Sequence, residues 1–389
     1  MSGAIMILKP NWDKVQLYFS GDEYFRDLIA EIKKSQTEVI LESYIFDLDP
    51  IGLRLLNALA EARARGVKVQ ILVDGVGSFN WLMALHDFCK KHDLQFRIYH
   101  PLPVRLSFLR KISWRSLRRI LFLLKKSNKR NHRKVTIIDH KTAFLGSLNV
   151  TQVHTKEFMG AKAWRDTGIQ VEGHPIGYLR RAFLDAWVTA RFEKIAIKRT
   201  FLRYRTRQKA DEILRLNTSM PWRYALLRDL NRRMRHAQTR ILVTNAYFVP
   251  RRSVLRSLIK AAQRGVFVGL CLPAQSDVLP VRWASRSLYN RLLRAGVKIY
   301  EYQPSMMHAK TLVIDNWATV GSHNLNHRSL MHDLEAEVVL THNEWVQPLV
   351  DQWDLDIRKS HAITKADLGK MTWWYRSLTR LAYWFRYWL

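Results

Sequence analysis

The sequence predicts an α/β protein made of two similar halves, each an α/β/α sandwich, that meet at one shared site. A motif of the form H-x-K-x4-D occurs twice, at His132–Asp139 and at His308–Asp315, and a G-S-x-N turn follows each copy. The segments upstream of the two motifs alternate between strand-like and helix-like patterns in the same order. The length of 389 residues is enough for two halves of ordinary size.

Each motif runs into a short apolar stretch that is typical of a buried strand. Val135–Ile138 and Leu312–Ile314 are rich in β-branched residues, and second short strands are predicted at Thr142–Leu145 and Ala318–Val320. Side chains two residues apart on a strand project from the same face, so the His and Lys of one copy can share one ligand. The glycine of each G-S-x-N turn permits unusual dihedral angles after the second strand.

The wider repeat has the order strand, helix, strand, helix, strand before the motif is reached. The matching segments are Val39–Phe46 with Ile241–Phe248, Gly52–Arg65 with Ser253–Arg264, Gln70–Val73 with Gly269–Leu272, and Phe96–Tyr99 with Val297–Tyr300. Such alternation predicts parallel or mixed sheets covered by helices, with the site at the seam between the halves.

We expect four segments along the chain. Residues 1–190 form the first half, 191–215 a basic connection, 216–362 the second half and 363–389 an aromatic, basic C-terminal tail. The connection is compatible with a solvated charge run and with a binding surface. For the tail, an interfacial helix at a membrane surface is favoured over a helix that caps the fold.

The first half also carries an insert, residues 102–131, that has no counterpart in the second half. It is rich in Lys and Arg, lacks acidic residues, and has leucines and isoleucines near helical spacing. A basic amphipathic helix of this kind suits an anionic bilayer surface. The alternative is a solvated basic helix whose apolar stripe packs on the core.

Composition restricts the partners. The chain has 64 Lys+Arg against 33 Asp+Glu, a formal charge of +31, so it should seek nucleic acid or an anionic membrane face. The 14 Trp and 14 Tyr favour the membrane interface. The two cysteines, Cys89 and Cys271, have no metal-like spacing and make a disulfide framework unlikely. No apolar run approaches the ~20 residues of a spanning helix, so a protein acting on lipid would sit on the bilayer.

The paired motifs suit phosphoryl transfer without a metal or cofactor. A neutral imidazole can attack phosphorus, and a second imidazole can protonate the leaving oxygen. The two lysines, Lys134 and Lys310, would hold the negative phosphoryl oxygens as point charges. Two copies brought together therefore supply a nucleophile, an acid and a cationic clamp from His132, His308 and these lysines.

These motifs resemble the paired HKD motifs of the phospholipase D superfamily and, within it, bacterial cardiolipin synthases of the B type. The stretches that carry the finer resemblance are Leu41–Phe46, Trp164–Gly168, Asn245–Pro250, Gly321–Asn326, Arg328–Leu330 and Thr372–Trp374. The resemblance implies a duplicated phospholipase D-like α/β/α sandwich of two pseudo-symmetric halves. It also implies transfer of a phosphatidyl group from phosphatidylglycerol or phosphatidylethanolamine to the glycerol hydroxyl of phosphatidylglycerol. The implied place is the cytoplasmic face of a bacterial inner membrane, with the enzyme bound as a peripheral protein.

The resemblance also implies roles for acidic residues. Asp166 and Glu335, one downstream of each motif, would orient the histidines, with Asp333 and Glu337 as rivals of Glu335. Asp139 and Asp315 are counted with the catalytic motifs, although a structural role is the stronger expectation for them. Further candidates for binding phosphate or supporting the site are Ser147, Asn149, Ser322, Asn324 and, with less support, Glu42 and Asn245. Asn326 stands where the family usually has Asp. The resemblance therefore supports the choice of acceptor less firmly than it supports the chemistry of the paired motifs.

Other readings remain open at this point. A hydrolase or nuclease of the same superfamily is the main alternative, because the charge of +31 also suits nucleic acid. Amphipathic, tryptophan-bearing segments favour lipid, so nucleic acid is the less expected partner. A non-catalytic scaffold is disfavoured because both copies retain His and Lys. The two copies are too alike to say which histidine attacks, although His132 is our working choice, and the oligomeric state is left open.

Overall fold

The structure is a computed structural model that describes residues 12–101, 129–191 and 213–387. The insert predicted at 102–131 and the connection predicted at 191–215 lie almost wholly outside the described residues. The described residues form two mixed sheets, one in each half of the chain, with helices on their faces.

The first half builds a seven-stranded sheet in the order β1-β7-β6-β5-β2-β3-β4. Its strands are β1 (Lys14–Tyr18), β2 (Glu38–Ser43), β3 (Lys68–Asp74), β4 (Gln95–Tyr99), β5 (Val135–Ile138), β6 (Thr142–Gly146) and β7 (Gly168–Glu172). Its α-helices are α1 (Gly21–Lys34), α2 (Pro50–Ala64), α3 (Leu82–Lys91), α4 (Lys156–Met159) and α5 (Ile176–Arg191). Strands β2, β3 and β4 run parallel, and every other neighbouring pair is antiparallel.

The second half builds an eight-stranded sheet in the order β15-β11-β10-β9-β12-β13-β14-β8. Its strands are β8 (Leu214–Leu216), β9 (Arg240–Thr244), β10 (Phe267–Pro273), β11 (Lys298–Tyr302), β12 (Thr311–Ile314), β13 (Trp317–Gly321), β14 (Ala336–Leu340) and β15 (Ser360–Ala362). Its α-helices are α6 (Met220–His236), α7 (Arg252–Gln263), α8 (Leu279–Arg286), α9 (Tyr289–Arg294), α10 (His327–Met331), α11 (Asn343–Arg358), α12 (Lys365–Gly369) and α13 (Trp373–Trp384).

The two sheets repeat the same strand order, which confirms the predicted duplication. The order β1-β7-β6-β5-β2-β3-β4 in the first half matches β8-β14-β13-β12-β9-β10-β11 in the second, and β15 adds one strand beside β11. Two expectations need correction. The motif strands begin at Val135 and Thr311, so the H-x-K residues lie just before them. Strand β8 begins at Leu214, inside the stretch predicted as a connection, because it pairs with β14 of the second sheet.

Alternating apolar side chains form three large clusters in the core. The outer faces of the two sheets each pack against their own helices: α1, α2 and α3 in the first half, and α6, α7 and α9 in the second. The inner faces of both sheets share one cluster with α5 and α11; for example, Val135 and Ile137 lie in the same cluster as Val313 and Val338. The strands that carry the two motifs therefore lie on either side of a common buried layer.

Candidate active site

Backbone hydrogen bonds join each motif to the other half of the chain, and this brings the two motifs together. The N–H of His132 donates to the carbonyl oxygen of Leu334 at 3.0 Å, and the N–H of His308 donates to that of Arg165 at 2.8 Å. Leu334 precedes Glu335, and Arg165 precedes Asp166. The seam therefore brings each histidine beside the carboxylate that the other half supplies.

The side chains form two crossed histidine–carboxylate pairs. Nδ1 of His132 lies 3.0 Å from both carboxylate oxygens of Glu335, and Nδ1 of His308 lies 2.7 Å from Oδ1 of Asp166. All four side chains are buried. Because the carboxylate holds Nδ1, the ring orientation is fixed and Nε2 is the nitrogen that can reach phosphorus.

The two lysines occupy equivalent places. The ammonium group of Lys134 donates to the carbonyl oxygen of His132 at 2.9 Å, and that of Lys310 donates to the carbonyl oxygen of His308 at 2.6 Å. Burial and the charge of Lys310 lower the pKa of Lys134 to about 7, and burial lowers the pKa of Lys310 to about 8. Two close ammonium groups in a buried site favour an anion between them, because its charge offsets their repulsion.

Burial and the two ammonium groups hold the imidazoles neutral. Burial, together with the charges of Lys134 and Lys310, keeps the pKa of His132 well below its usual value. Burial and Lys310 lower the pKa of His308 to about 3, against the raising effect of Asp166. A neutral imidazole has the lone pair that a nucleophile needs.

The turn serines hold the carboxylates. Oγ of Ser147 donates to Oδ1 of Asp166 at 2.7 Å, and Oγ of Ser322 donates to Oε2 of Glu335 at 2.5 Å. The preceding glycines allow this close approach, since a Cβ on Gly321 would collide with the carbonyl oxygen of Ala336. These serines therefore orient the carboxylates that orient the histidines.

The other supporting candidates lie around this core. Oδ1 of Asn149 accepts from the N–H of Ile45 at 3.3 Å, and Oδ1 of Asn245 accepts from the N–H of Leu325 at 3.1 Å, so both brace loops at the ends of strands. Asn324 is buried, and its Oδ1 has no partner among the described residues. An unpaired buried carbonyl oxygen of this kind is an open acceptor beside the second motif.

Glu42 and Asn245 do not occupy matching positions. In the sheets Glu42 pairs with Val135, whereas Thr244 pairs with Thr311, so Thr244 is the counterpart of Glu42. A shift of one residue moves a side chain to the other face of a strand. Glu42 accepts from Nδ2 of Asn131 at 2.5 Å and lies beside the strand that leads out of the first motif.

The aspartates of the two motifs do not join the site, and their inclusion among catalytic residues is corrected. Asp139 accepts from the backbone N–H groups of Gln36, Thr37 and Glu38, and Asp315 accepts from those of residues 238 to 240. Partial burial would raise their pKa, but these N–H groups lower it. Each aspartate ties the far end of its motif strand to the start of the neighbouring strand.

The rivals of Glu335 have other partners. Asp333 forms an ion pair with Arg328 at 2.9 Å, and burial raises its pKa to about 6. Glu337 faces Nδ1 of His323 at 3.2 Å. Of the three acidic residues in this stretch, Glu335 is therefore the one that contacts a motif histidine.

Three aromatic residues and one histidine were not singled out from the sequence. The ring of Tyr44 lies 5.0 Å from that of His132, and the rings of Trp164 and Tyr247 lie 5.2 Å and 6.4 Å from that of His308. His154 lies beside Asp166, its Nδ1 at 2.6 Å from Oδ2. The aromatic residues lie within the stretches that carry the family resemblance, which was the available signal for them.

One group of possible metal ligands exists within the described ranges, namely His154, Asp166 and His308. Its nitrogen–oxygen distances of 2.6 Å and 2.7 Å are hydrogen-bond lengths. The other ring nitrogen of His154 accepts from the N–H of Asn149 at 3.1 Å. The trio is therefore complete as a hydrogen-bonded cluster.

Fold and site together define a duplicated phospholipase D-type enzyme, in which two imidazoles and two ammonium groups lie at the seam between the halves. The comparisons agree with this class. Residues 28–159 and 230–356 match the family described as "Cardiolipin synthase, PLD-like domain". The chain is 30% identical to cardiolipin synthase B of Salmonella typhimurium (strain LT2) and 31% identical to that of Escherichia coli (strain K12), in each case over 97% of this chain and 89% of the relative.

The fold has a solved counterpart. The phosphatidylserine synthase of Haemophilus influenzae Rd KW20 superposes with a TM-score of 0.67 at 10% identity, over 97% of this chain and 95% of that one. The chain belongs to the cardiolipin synthase family of PLD-like domain proteins, which confirms the resemblance read from the paired motifs. Among the helices in the described ranges, none is both long and apolar enough to cross a bilayer.

Proposed function

We propose that this protein is a cardiolipin synthase. It transfers a phosphatidyl group from phosphatidylglycerol or phosphatidylethanolamine to the glycerol hydroxyl of a second phosphatidylglycerol. Glycerol or ethanolamine is released. The observation that carries the proposal is the pair of crossed hydrogen bonds, His132 to Glu335 and His308 to Asp166, which sets two oriented imidazoles at one seam with two buried lysines.

The reaction has two steps that balance without a cofactor. In the first, Nε2 of one histidine attacks phosphorus, and the bond from phosphorus to the alcohol oxygen breaks. The other histidine, once protonated, gives its proton to the departing alkoxide. In the second, that same histidine takes the proton of the incoming hydroxyl, whose oxygen attacks phosphorus and breaks the phosphorus–nitrogen bond. Our assignment makes His132 the nucleophile and His308 the acid and base.

The electrostatics of the site support this sequence of steps. Burial and the charges of the lysines keep both imidazoles neutral, and a phosphodiester bound between Lys134 and Lys310 would supply negative charge that raises the pKa of both histidines. Binding of the substrate thus favours protonation of the acid, while the lysines stabilise charge on the phosphoryl oxygens in the transition state.

A bilayer surface is the natural place for a reaction between two lipids, and exposed apolar residues support it. Ser78, in the loop after β3, donates to the carbonyl oxygen of Tyr44 at 3.1 Å, and Asp277, in the loop after β10, accepts from the hydroxyl of Tyr247 at 2.7 Å. Both tyrosines contact the catalytic histidines. The apolar rim of these loops consists of the exposed residues Phe79, Trp81, Met83, Val278 and Leu279.

The C-terminal helix extends the apolar rim. Helix α13 packs on α8 in a small apolar cluster that also includes Tyr247. Its outward residues Trp373 and Trp384 are each 79% exposed. Tryptophans at such positions suit the boundary between headgroups and acyl chains, and the charge of +31 suits the anionic cytoplasmic leaflet. We place the enzyme there as a peripheral protein.

The test is product analysis on defined lipids. The protein is incubated with vesicles of phosphatidylglycerol alone, of phosphatidylglycerol with phosphatidylethanolamine and, separately, with DNA. A four-chain lipid with release of glycerol or ethanolamine supports the proposal and names the donor. Phosphatidic acid alone would indicate a hydrolase, and cut DNA without lipid turnover would indicate a nuclease.

A further inference from the structure

Asp166 is shared between two histidines. Its Oδ1 lies 2.7 Å from Nδ1 of His308 and accepts from Oγ of Ser147, while its Oδ2 lies 2.6 Å from Nδ1 of His154. His154 is fully buried, in contact with the ring of Trp164. The mechanism above gives no role to this second histidine.

The protonation state of His154 follows from its other ring nitrogen. The backbone N–H of Asn149 points at Nε2 of His154 at 3.1 Å. A backbone N–H can only donate, so Nε2 must carry the lone pair and Nδ1 must carry the proton. His154 is therefore a neutral imidazole that donates its single proton to Asp166.

The second half has no histidine at the matching place. His154 is the fifth residue after Asn149 of the first G-S-x-N turn, and Ser329 is the fifth after Asn324 of the second. His154 hydrogen-bonds Asp166, whereas the hydroxyl of Ser329 acts on Glu335 by lowering its pKa. The two carboxylates thus have different neighbours at this position, an imidazole in one half and a hydroxyl in the other.

The pKa values of the two carboxylates are also shifted in opposite directions. Burial alone would raise the pKa of Asp166, but His154 and His308 hold it well below its usual value. For Glu335, burial prevails and its pKa is raised. The His308–Asp166 pair and the His132–Glu335 pair are therefore chemically unequal, although the backbone around them is duplicated.

We propose that His154 is a positioning residue that fixes the orientation of Asp166 and takes a share of its charge, so that His308 releases its proton more readily than it would beside an unshared carboxylate. Such sharing suits the histidine that must give a proton in one step and take one in the next. Among the described residues, Glu335 has no second imidazole hydrogen-bonded to it and keeps more of its charge for His132, which suits a histidine whose partner must support the positive charge left by attack on phosphorus. This inference rests on the proposed phosphodiester chemistry and not on which alcohol is the acceptor.

The experiment compares pH profiles of kcat/KM for the full chain with two substrates, phosphatidylglycerol vesicles and the soluble diester bis(4-nitrophenyl) phosphate. The variants are His154→Ser, which copies the second half, and His154→Asn, whose amide N–H can take the place of Nδ1–H. Ser329→Ala is the matched control in the other half. A soluble diester reports on the histidines even if cardiolipin is not the product, so failure of the proposed function stays distinguishable.

With His154→Ser, we expect the limb of the profile that His308 governs to move up by about one pH unit, because Asp166 then acts on His308 alone. We expect kcat to fall by about 10- to 100-fold while KM for the diester stays within about twofold. His154→Asn should return the limb towards that of the wild type, and Ser329→Ala should leave it in place. A His154→Ser profile that superimposes on the wild type, or an equal displacement by Ser329→Ala, would overturn the proposal. If His154→Ser does not fold, His154→Asn is compared with His154→Gln, whose longer side chain does not place its amide N–H where Nδ1–H was. Equal displacement of the limb in these two variants would also overturn the proposal.

Discussion

His132 and Glu335, 203 residues apart in the chain, are joined by a hydrogen bond of 3.0 Å across the seam between the halves. The reciprocal pair, His308 with Asp166, is equally buried and crosses the seam in the other direction. Neither half alone therefore contains a motif histidine together with its carboxylate partner. Duplication gives two copies of each part, and the fold exchanges the carboxylates between them.

Replacing Glu335 by Gln should lower turnover strongly and leave lipid binding unchanged. The amide keeps the shape but cannot stabilise an imidazolium, so we expect kcat to fall by about 10²- to 10⁴-fold with KM little changed. Turnover and vesicle binding of the same preparation measure the two quantities. Full kcat in Glu335→Gln, or in either His132→Ala or His308→Ala, would contradict the two-histidine mechanism.

The motif aspartates give a contrasting prediction. Asp139→Asn and Asp315→Asn each replace a carboxylate that accepts several backbone N–H groups, so the free energy of unfolding should fall by about 1–2 kcal/mol. The kcat per folded molecule should stay at the wild-type value, since neither side chain reaches the seam. Denaturant unfolding and turnover check the two parts. A large loss of kcat with normal stability would return these residues to the catalytic set.

The lowered pKa values of the same aspartates also predict how the stability of the protein changes with pH. The pKa of Asp139 and of Asp315 is lower in the folded chain than in the unfolded chain, so their stabilising contribution is complete above about pH 4. It is lost as the pH falls through the folded pKa. The two asparagine variants should therefore lose less stability than the wild type between pH 5 and pH 3, in unfolding experiments at constant ionic strength.

The lysines predict how lipid affinity depends on pH. Lys134, with a pKa of about 7, and Lys310, with a pKa of about 8, bind the phosphodiester best as cations. Above about pH 8 each pH unit should raise KM by up to about tenfold for each proton that binding must restore. In the empty enzyme the sign for stability is opposite: the unfolded lysines keep their protons up to about pH 10, so the folded state becomes relatively more favourable as pH rises from 7.

Steady-state KM between pH 6.5 and 9.5, and unfolding of the lipid-free protein over the same range, measure these effects. A KM that stays flat while kcat falls would mean that the lysines act in the transition state and not in binding. Lys310→Arg offers a control, because the guanidinium keeps its charge throughout this range.

The repeat was predictable because its signals are local, whereas the exchange of carboxylates was not. Short β-branched runs such as Val135–Ile138 specify a buried strand by themselves, and their recurrence indicates duplication. That Glu335 belongs with His132 depends on how two sheets pack, which no local pattern contains. His154 was missed because a single histidine after a turn has no characteristic spacing, and β8 because three residues give too little alternation.

The ion pair between Arg165 and Asp356 crosses the seam, so breaking it should lower the stability of the protein. Nε and Nη2 of Arg165 lie 3.0 Å and 2.9 Å from the carboxylate oxygens of Asp356, and both side chains are largely buried. Asp356→Asn leaves a buried guanidinium without its countercharge and should cost about 3 kcal/mol or more of stability. The carbonyl oxygen of Arg165 also accepts from the N–H of His308, so kcat should fall as well.

The matched control is the exposed pair Lys34 with Glu31, at 2.9 Å on helix α1. Glu31→Gln should leave the free energy of unfolding nearly unchanged, because water screens the pair. Chemical denaturation of both variants measures the difference. Equal effects of the buried and the exposed change would show that the Arg165–Asp356 pair does not hold the halves together.

The apolar rim predicts where the protein touches lipid. Trp373→Ser and Trp384→Ser remove exposed aromatic surface from α13, and each should weaken binding to phosphatidylglycerol vesicles by about tenfold, since burying such a side chain is worth about 1.5–3 kcal/mol when complete. Phe79→Ser tests the first-half loop in the same way. Hydrolysis of a soluble diester should remain at the wild-type rate, because none of the three contacts the histidines. Phe267→Ser is the control: Phe267 is 41% exposed but begins β10, at the strand end opposite the rim loop, so vesicle binding should not change. Equal loss of binding in Phe267→Ser and Trp384→Ser would mean that the membrane contact is not confined to this face.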